Sequence, residues 1–277
     1  MILELDKAEF SKCRSLINDQ GQLEAIAVVE KINPGRIFVD NVEHPTSGII
    51  WLGNNDGFIF FGNEQNEGFK KDLNHFVNHV IAPEAKKIRL KWFEAIGNHE
   101  KWNKTIENVF KHRKLGKWNQ KVYTIRQDQH QGSNEPVIEQ GYNVIKISNT
   151  LLDNTVNAIT NIEFIQSKIL EFWPSTKDFL SNGIGYCAIF QDEVVNVCFS
   201  GFVANHVHCI DIETLEAHRG KKLAQITAYK FVTECLENKM IPYWDCMEMN
   251  KPSVAVAEKI GLINTFNYVG YEFPIEY

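Results

Sequence analysis

The stretch Ile210-Asp211-Ile212-Glu213-Thr214-Leu215-Glu216-Ala217-His218-Arg219-Gly220-Lys221-Lys222-Leu223-Ala224 concentrates the residues of this chain that could do chemistry. Period-2 alternation puts Asp211 and Glu213 on one face of a strand, two carboxylates able to take a proton from an attacking group. Ile210, Ile212 and Thr214 occupy the other face. An Arg-Gly turn then feeds a helix expected from about Arg219 to Glu237. The first turn of a helix leaves about four backbone N–H groups unpaired at the positive end of its dipole, which suits a pyrophosphate. Gly220 lets the chain approach an anion closely, and Arg219, Lys221 and Lys222 add positive charge. Ala224, Ala228, Phe231 and Cys235 form an apolar face that would hold that helix on a sheet. The competing reading is a surface helix with an Arg-Gly entry turn.

A frame must position these residues. The second half reads as strand Asn143–Ile147, helices Ile162–Phe172 and Lys177–Leu180, and strands Gly183–Phe190, Val194–Phe202 and His206–Thr214. The long helix follows, then strand Ile241–Met247, a short helix Pro252–Ile260 ended by Gly261, and a closing strand Ile263–Phe273. The helix between Thr214 and Ile241 is a crossover, so the strands it joins lie side by side and parallel.

The first half begins with helical patterns at Lys7–Asn18 and Leu23–Ile32, stopped by Pro34-Gly35. Strand-like runs follow at Arg36–Val39, Gly48–Leu52 and Phe58–Phe61, the last two forming a hairpin. A helix Phe69–Ile81, a strand Lys87–Trp92, a helix Lys101–Phe110 and a strand Lys121–Arg126 complete it. The polar stretch Asp128–Pro136 reads as a linker. The expected organisation is a mixed α/β (α+β) chain with an N-terminal domain over 1–130 and a C-terminal domain over 138–277.

Composition narrows the function classes. The chain has 277 residues, 44% hydrophobic and 23% charged, as in ordinary globular proteins. A formal net charge of −6 argues against a protein devoted to nucleic-acid backbones, which carry basic surpluses. The apolar stretches Gly48–Leu52 and Phe58–Phe61 are strand-sized, so no membrane span is expected. MILELDKAEF lacks the basic start and apolar core of a secretory signal. None of the six cysteines forms a C-x-x-C pair, which reads as buried thiols in a reducing cytoplasm. No metal is expected: His75 and His79 lack the Glu of a metalloprotease helix, Phe76 standing there, and His206 and His208 read as hydrogen-bonded histidines. No phosphate loop or G-x-G-x-x-G is present. The basic residues Lys111, Arg113, Lys114 and Lys117 read as a solvated loop.

The Arg219–Ala224 stretch resembles the acetyl-CoA signature of the GNAT N-acetyltransferase superfamily, Arg/Gln-x-x-Gly-x-Gly/Ala. Arg219 fills its first position and Ala224 its last. Asn250, Ser253 and the run Ala257-Glu258-Lys259-Ile260-Gly261-Leu262 are similar to the family's second signature. The element order from Asn143 to Tyr277 is also that of the GNAT fold. The upstream half looks like the N-terminal portion of a bacterial two-part GNAT subfamily, itself GNAT-like. Two positions depart from the pattern. Lys222 stands where the family has a middle glycine, and Ala257 stands where many members carry a tyrosine that protonates the departing thiolate.

The resemblance implies an acetyl-CoA-dependent N-acetyltransferase acting on an amine, with a small molecule or peptide as acceptor. It implies that Ile212, Thr214, Arg219, Gly220, Lys221, Lys222, Leu223, Ala224, Asn250 and Ser253 bind acetyl-CoA. The pantetheine arm would lie between splayed strands, and a main-chain N–H near Ile212–Thr214 would polarise the thioester carbonyl. Glu213, then Asp211, is the expected base, with Ser253 or water protonating the thiolate. No nucleic-acid or membrane partner is expected, and a homodimer is left open. The alternatives are a non-catalytic acyl-CoA-binding or sensing module and a non-enzymatic interaction protein.

Overall fold

The computed structural model describes residues 1–125, 135–153 and 159–276. The expected linker falls largely on 128–134, outside the described residues. Contacts divide the chain into two compact units, Met1–Gln120 with Tyr268–Tyr277, and Lys121–Asn267. The expected domains followed chain order; these units follow contacts.

In the first unit the strands are β1 (Leu3–Glu4), β2 (Gly35–Val39), β3 (Ser47–Leu52), β4 (Phe58–Gly62), β5 (Trp92–Gly97) and the end of β12 (Ile263–Pro274), in sheet order β1-β2-β3-β4-β5-β12. The helices are α1 (Leu23–Val29), α2 (Glu67–Phe76), α3 (Ala82–Lys87) and α4 (Lys101–Phe110). Lys7–Leu16 is 3-10 helix rather than α-helix. Gly270–Pro274 pairs antiparallel with Ile96–Trp92, which is why the last ten residues group with the N-terminal ones. β4 and β5 are parallel, joined by a crossover through α2, a π-helical turn Val77–Ile81 and α3. Phe58, Phe60, Phe93, Trp102, Phe110 and Phe273 fill the core of this unit.

Two expected strands are corrected: Lys121–Arg126 is only the later part of a strand over Gly116–Thr124, with Arg126 outside the described residues. Lys87–Trp92 is not a strand: helix continues to Lys87, and the strand begins only at Trp92. Pro83 lies in the first turn of α3, where its missing N–H costs nothing. Glu84 pairs with Lys87 at 2.6 Å, and Arg89 at φ 60° turns the chain out of the helix.

Glu94 faces Glu272 directly across the β5–β12 pair. Burial, then Asp56 and Glu272, push its carboxyl up to about 7 from 4.5. A raised carboxyl contributes stability below its unfolded value that is lost as pH rises through the folded one. Glu94→Gln is therefore expected to stabilise the protein at pH 8 by about 1–2 kcal/mol, allowing for solvent screening of a half-buried group. Urea unfolding of both proteins above and below pH 5 checks this; a gain of equal size at both pH values would refute it.

The second unit carries the end of β6 (Gly116–Thr124), then β7 (Tyr142–Lys146), β8 (Gly185–Phe190), β9 (Glu193–Ala204), β10 (Val207–Thr214) and β11 (Ile241–Met247). Its helices are α5 (Asn149–Leu152), α6 (Ile162–Phe172), α7 (Thr176–Asn182), α8 (Leu223–Glu237) and α9 (Lys251–Lys259). The sheet order is β6-β11-β10-β9-β8-β7, with β7 to β10 antiparallel and β10 parallel to β11. Ala228, Phe231 and Cys235 of α8 are fully buried in one cluster with Cys198, Ile210, Trp244 and Cys246, so the apolar stripe seats α8 on this sheet. All six cysteines are buried free thiols. No helix among the described residues is long and apolar enough to cross a membrane.

Candidate functional site

β10 and β11 are in register only at Val207↔Ile241, His208↔Pro242 and Cys209↔Tyr243. Between Cys209 and Ile210 the register of β10 against β9 shifts. Such an irregularity bends a strand and increases its twist. From Ile210 to Thr214 β10 stays in register with β9 alone, so the parallel strands part toward their C-terminal ends.

The chain then turns toward α8. Leu215 donates its N–H to the Val195 carbonyl at 2.9 Å, and Glu216–His218 form a 3-10 turn. Arg219 Nε donates back to the Thr214 carbonyl at 3.2 Å. Lys221 is anchored sideways: its ammonium lies 5.4 Å from the Tyr142 ring centroid and 5.9 Å from that of Phe190. Tyr142 in turn hydrogen-bonds His218 Nδ1 at 2.8 Å.

The helix expected from Arg219 begins at Leu223 instead, so Arg219, Gly220, Lys221 and Lys222 lie in the turn before it. The reason is in the backbone: Gly220 has φ +80° and Lys222, the N-cap, has φ 63° and ψ 15°. Two left-handed residues cannot continue a right-handed helix. The first backbone bond of α8 runs from Ile226 N–H to the Lys222 carbonyl at 3.0 Å, which leaves the amides of Leu223, Ala224 and Gln225 ahead of it, as in any helix start. No side chain caps this end, and nothing lies within 4 Å of where a Cβ on Gly220 would stand. An anion can therefore approach this backbone at close range.

The left-handed N-cap explains why a glycine suits position 222. A side chain there costs about 1–2 kcal/mol, partly offset by the greater unfolded entropy of glycine. Lys222→Gly is expected to raise the unfolding free energy by up to about 1 kcal/mol in urea titration; a loss of stability would show that the lysine side chain holds the turn.

The carboxylates face away from α8, because Ile210 and Ile212 on the opposite parity pack toward it. Glu213 pairs with Lys168 of α6 at 2.8 Å, and Lys168 also reaches Glu171 at 2.9 Å. Burial by itself would lower the Lys168 pKa, but Glu213 and Glu171 carry it above its ordinary value. Asp211 lies near the buried Cys198, whose thiol is pushed up first by burial and then by that carboxylate.

The second signature caps α9. Asn250 accepts from the Ser253 N–H at 3.3 Å, and Ser253 Oγ accepts from Trp244 Nε1 at 3.0 Å. Ala257 is fully buried in the cluster that also holds Tyr123 and Trp244, so no hydroxyl is supplied from that position. Residues that sequence reasoning missed are Lys168, Tyr142 and Asn196. Only Asn196 left a signal, a lone amide within Val194-Val195-Asn196-Val197.

The first unit has the same kind of crossover without such a site. Asn98 N–H still reaches the Phe60 carbonyl at 2.8 Å, so β5 stays joined to β4 through its last residue, Gly97. The N-terminus of α2 is capped by Asn66, which accepts from Phe69 N–H at 3.0 Å. A side-chain cap takes up one of the amides that an anion at a helix start would need.

The family model for GNAT acetyltransferases matches residues 14–271. The chain belongs to the GNAT acetyltransferase family. It is 23% identical over 272 residues to YdfB of Bacillus subtilis (strain 168), an uncharacterised N-acetyltransferase, covering 98% of each chain. Its fold is similar to a GCN5-related N-acetyltransferase-like protein from Streptococcus suis 89/1591, with TM-score 0.66, 18% identity, and 97% of this chain and 100% of that one covered. It is also similar in fold to a tandem GNAT protein from the clavulanic acid biosynthesis pathway, with TM-score 0.62, 10% identity, and 100% and 99% covered. The mixed α+β architecture and the two-part GNAT reading of the sequence are borne out.

Proposed function

We propose that this protein transfers an acetyl group from acetyl-CoA to an amine. The observation that carries the reading is the parting of β10 from β11 beyond Cys209↔Tyr243, beside an uncapped α8 start. On this reading the pyrophosphate lies on the amides of Leu223, Ala224 and Gln225 with Gly220, Lys221, Lys222 and Arg219 around it. The pantetheine arm runs along Ile212–Thr214, and a main-chain N–H there takes the developing charge on the thioester oxygen.

The amine nitrogen attacks the thioester carbonyl, a C–N bond forms, and the C–S bond breaks to release the CoA thiolate. The amine proton goes to Glu213, directly or through a water, with Asp211 as the second candidate. Lys168, 2.8 Å away, holds the Glu213 carboxylate in place. With Ala257 buried and hydroxyl-free, the thiolate takes its proton from Ser253 or from water. The indole of Trp244 can only donate to Ser253 Oγ, which leaves the serine its own proton to give. Asn250 acts on the same end of the site by fixing the first turn of α9.

Calorimetry with acetyl-CoA, followed by acetyl transfer to a panel of amines, tests the assignment. Binding with transfer supports it. No binding at millimolar acetyl-CoA overturns it. Binding without transfer to any amine favours instead an acyl-CoA sensor, the reading that Ala257 supports.

A further inference from the structure

Asn196 is a polar side chain with no exposed surface, set among valines in β9. Its Nδ2 lies 2.9 Å from the Glu213 main-chain carbonyl and 2.9 Å from Thr214 Oγ1. A carbonyl can only accept, so the amide nitrogen must be the atom facing it, and the threonine oxygen beside it must accept too. Asn196 Oδ1, by contrast, is buried and receives no hydrogen bond. An unpaired buried acceptor costs about 1–3 kcal/mol, so an apolar residue would serve the strand better if packing were all that mattered.

The place of these bonds gives them meaning. Thr214↔Asn196 is the last register pair between β10 and β9, on the segment that has already left β11. Asn196 therefore supplies two hydrogen bonds to the end of a strand that is in register on one side only. Because Thr214 Oγ1 accepts from Asn196, its own proton points elsewhere.

We propose that Asn196 is a positioning residue that orients the Thr214 hydroxyl as a hydrogen-bond donor to a carbonyl oxygen of bound acyl-CoA. This rests on the acetyl-CoA reading above. It goes beyond that reading by assigning Thr214 a side-chain role and by naming the buried residue that sets its direction.

Calorimetric titration of acetyl-CoA into Thr214→Val, Thr214→Ser, Asn196→Ala and the double variant Asn196→Ala/Thr214→Val tests it. Loss of one such bond is expected to weaken binding about tenfold in Thr214→Val, with Thr214→Ser rescuing it. Asn196→Ala, which frees the hydroxyl to turn away, is expected to show a smaller loss, and the double variant no more than Thr214→Val, since Asn196 acts only through the hydroxyl that Thr214→Val removes. Thr214→Val binding with wild-type affinity overturns the proposal, as does additivity in the double variant. Should Asn196→Ala not fold, the Thr214 pair still decides. If wild-type protein itself binds no acetyl-CoA, the functional reading falls; if it binds and the variants bind equally, only the role of Asn196 and Thr214 falls.

Discussion

Arg219→Glu is expected to weaken acetyl-CoA binding by about 100-fold, the largest functional effect of any single change at this site. Arg219 stands at the exit of β10, its Nε tied to the Thr214 carbonyl, immediately before the left-handed turn at Gly220 and Lys222. A hydrogen bond to a charged group contributes about 1.5–3 kcal/mol, and the reversal adds repulsion of the diphosphate to the loss of that bond. The side chain is exposed, so the repulsion falls with added salt, and the deficit should shrink between low and high ionic strength. Unfolding without ligand should barely change, because the residue is not in the core. Calorimetric titration at two salt concentrations reads the first two quantities, and urea unfolding reads the third. Unchanged affinity would remove Arg219 from the site.

A second large effect concerns stability. His208 lies buried in β10 with Nδ1 2.9 Å from Ser200 Oγ. Burial is the main cause that lowers its pKa from 6.5 to about 4; Glu234 opposes the shift and His206 adds to it. The unfolded chain thus binds a proton that the folded one refuses. The contribution of the neutral imidazole is complete above pH 6.5 and is lost as pH falls through about 4, amounting to about 3 kcal/mol. Urea unfolding across this window should show a steep fall in stability. His208→Gln keeps a hydrogen-bonding group of similar size and should flatten the part of the curve between those values. A variant with the same pH profile as wild type would assign the acid sensitivity to carboxylates instead.

The opposite signs of Glu94 and His208 follow from one rule: burial disfavours the charged form, whichever form that is. Neither shift was legible in the chain, because a strand pattern says that a residue alternates and not how deeply its neighbours cover it.

Much of the frame was legible. The β10–α8–β11 crossover followed from strand-length apolar runs flanking one amphipathic helix, and parallel pairing followed from the length of the connection. The stripe Ala228, Phe231 and Cys235 named the buried face of α8. Asp211 and Glu213 shared a face because the side-chain period of a strand is two. These are local properties of bonded geometry, and a chain carries them in its residue order.

What tertiary structure alone decided is different in kind. The start of α8 moved to Leu223 because Gly220 and Lys222 turn left-handed, and a lysine gives no local sign of such a φ. The parting of β10 from β11, the Lys168–Glu213 pair and the asparagine under Thr214 each join residues that are distant in sequence. Such contacts depend on how sheets bend and which side chains meet, so they exist only once the whole unit has packed.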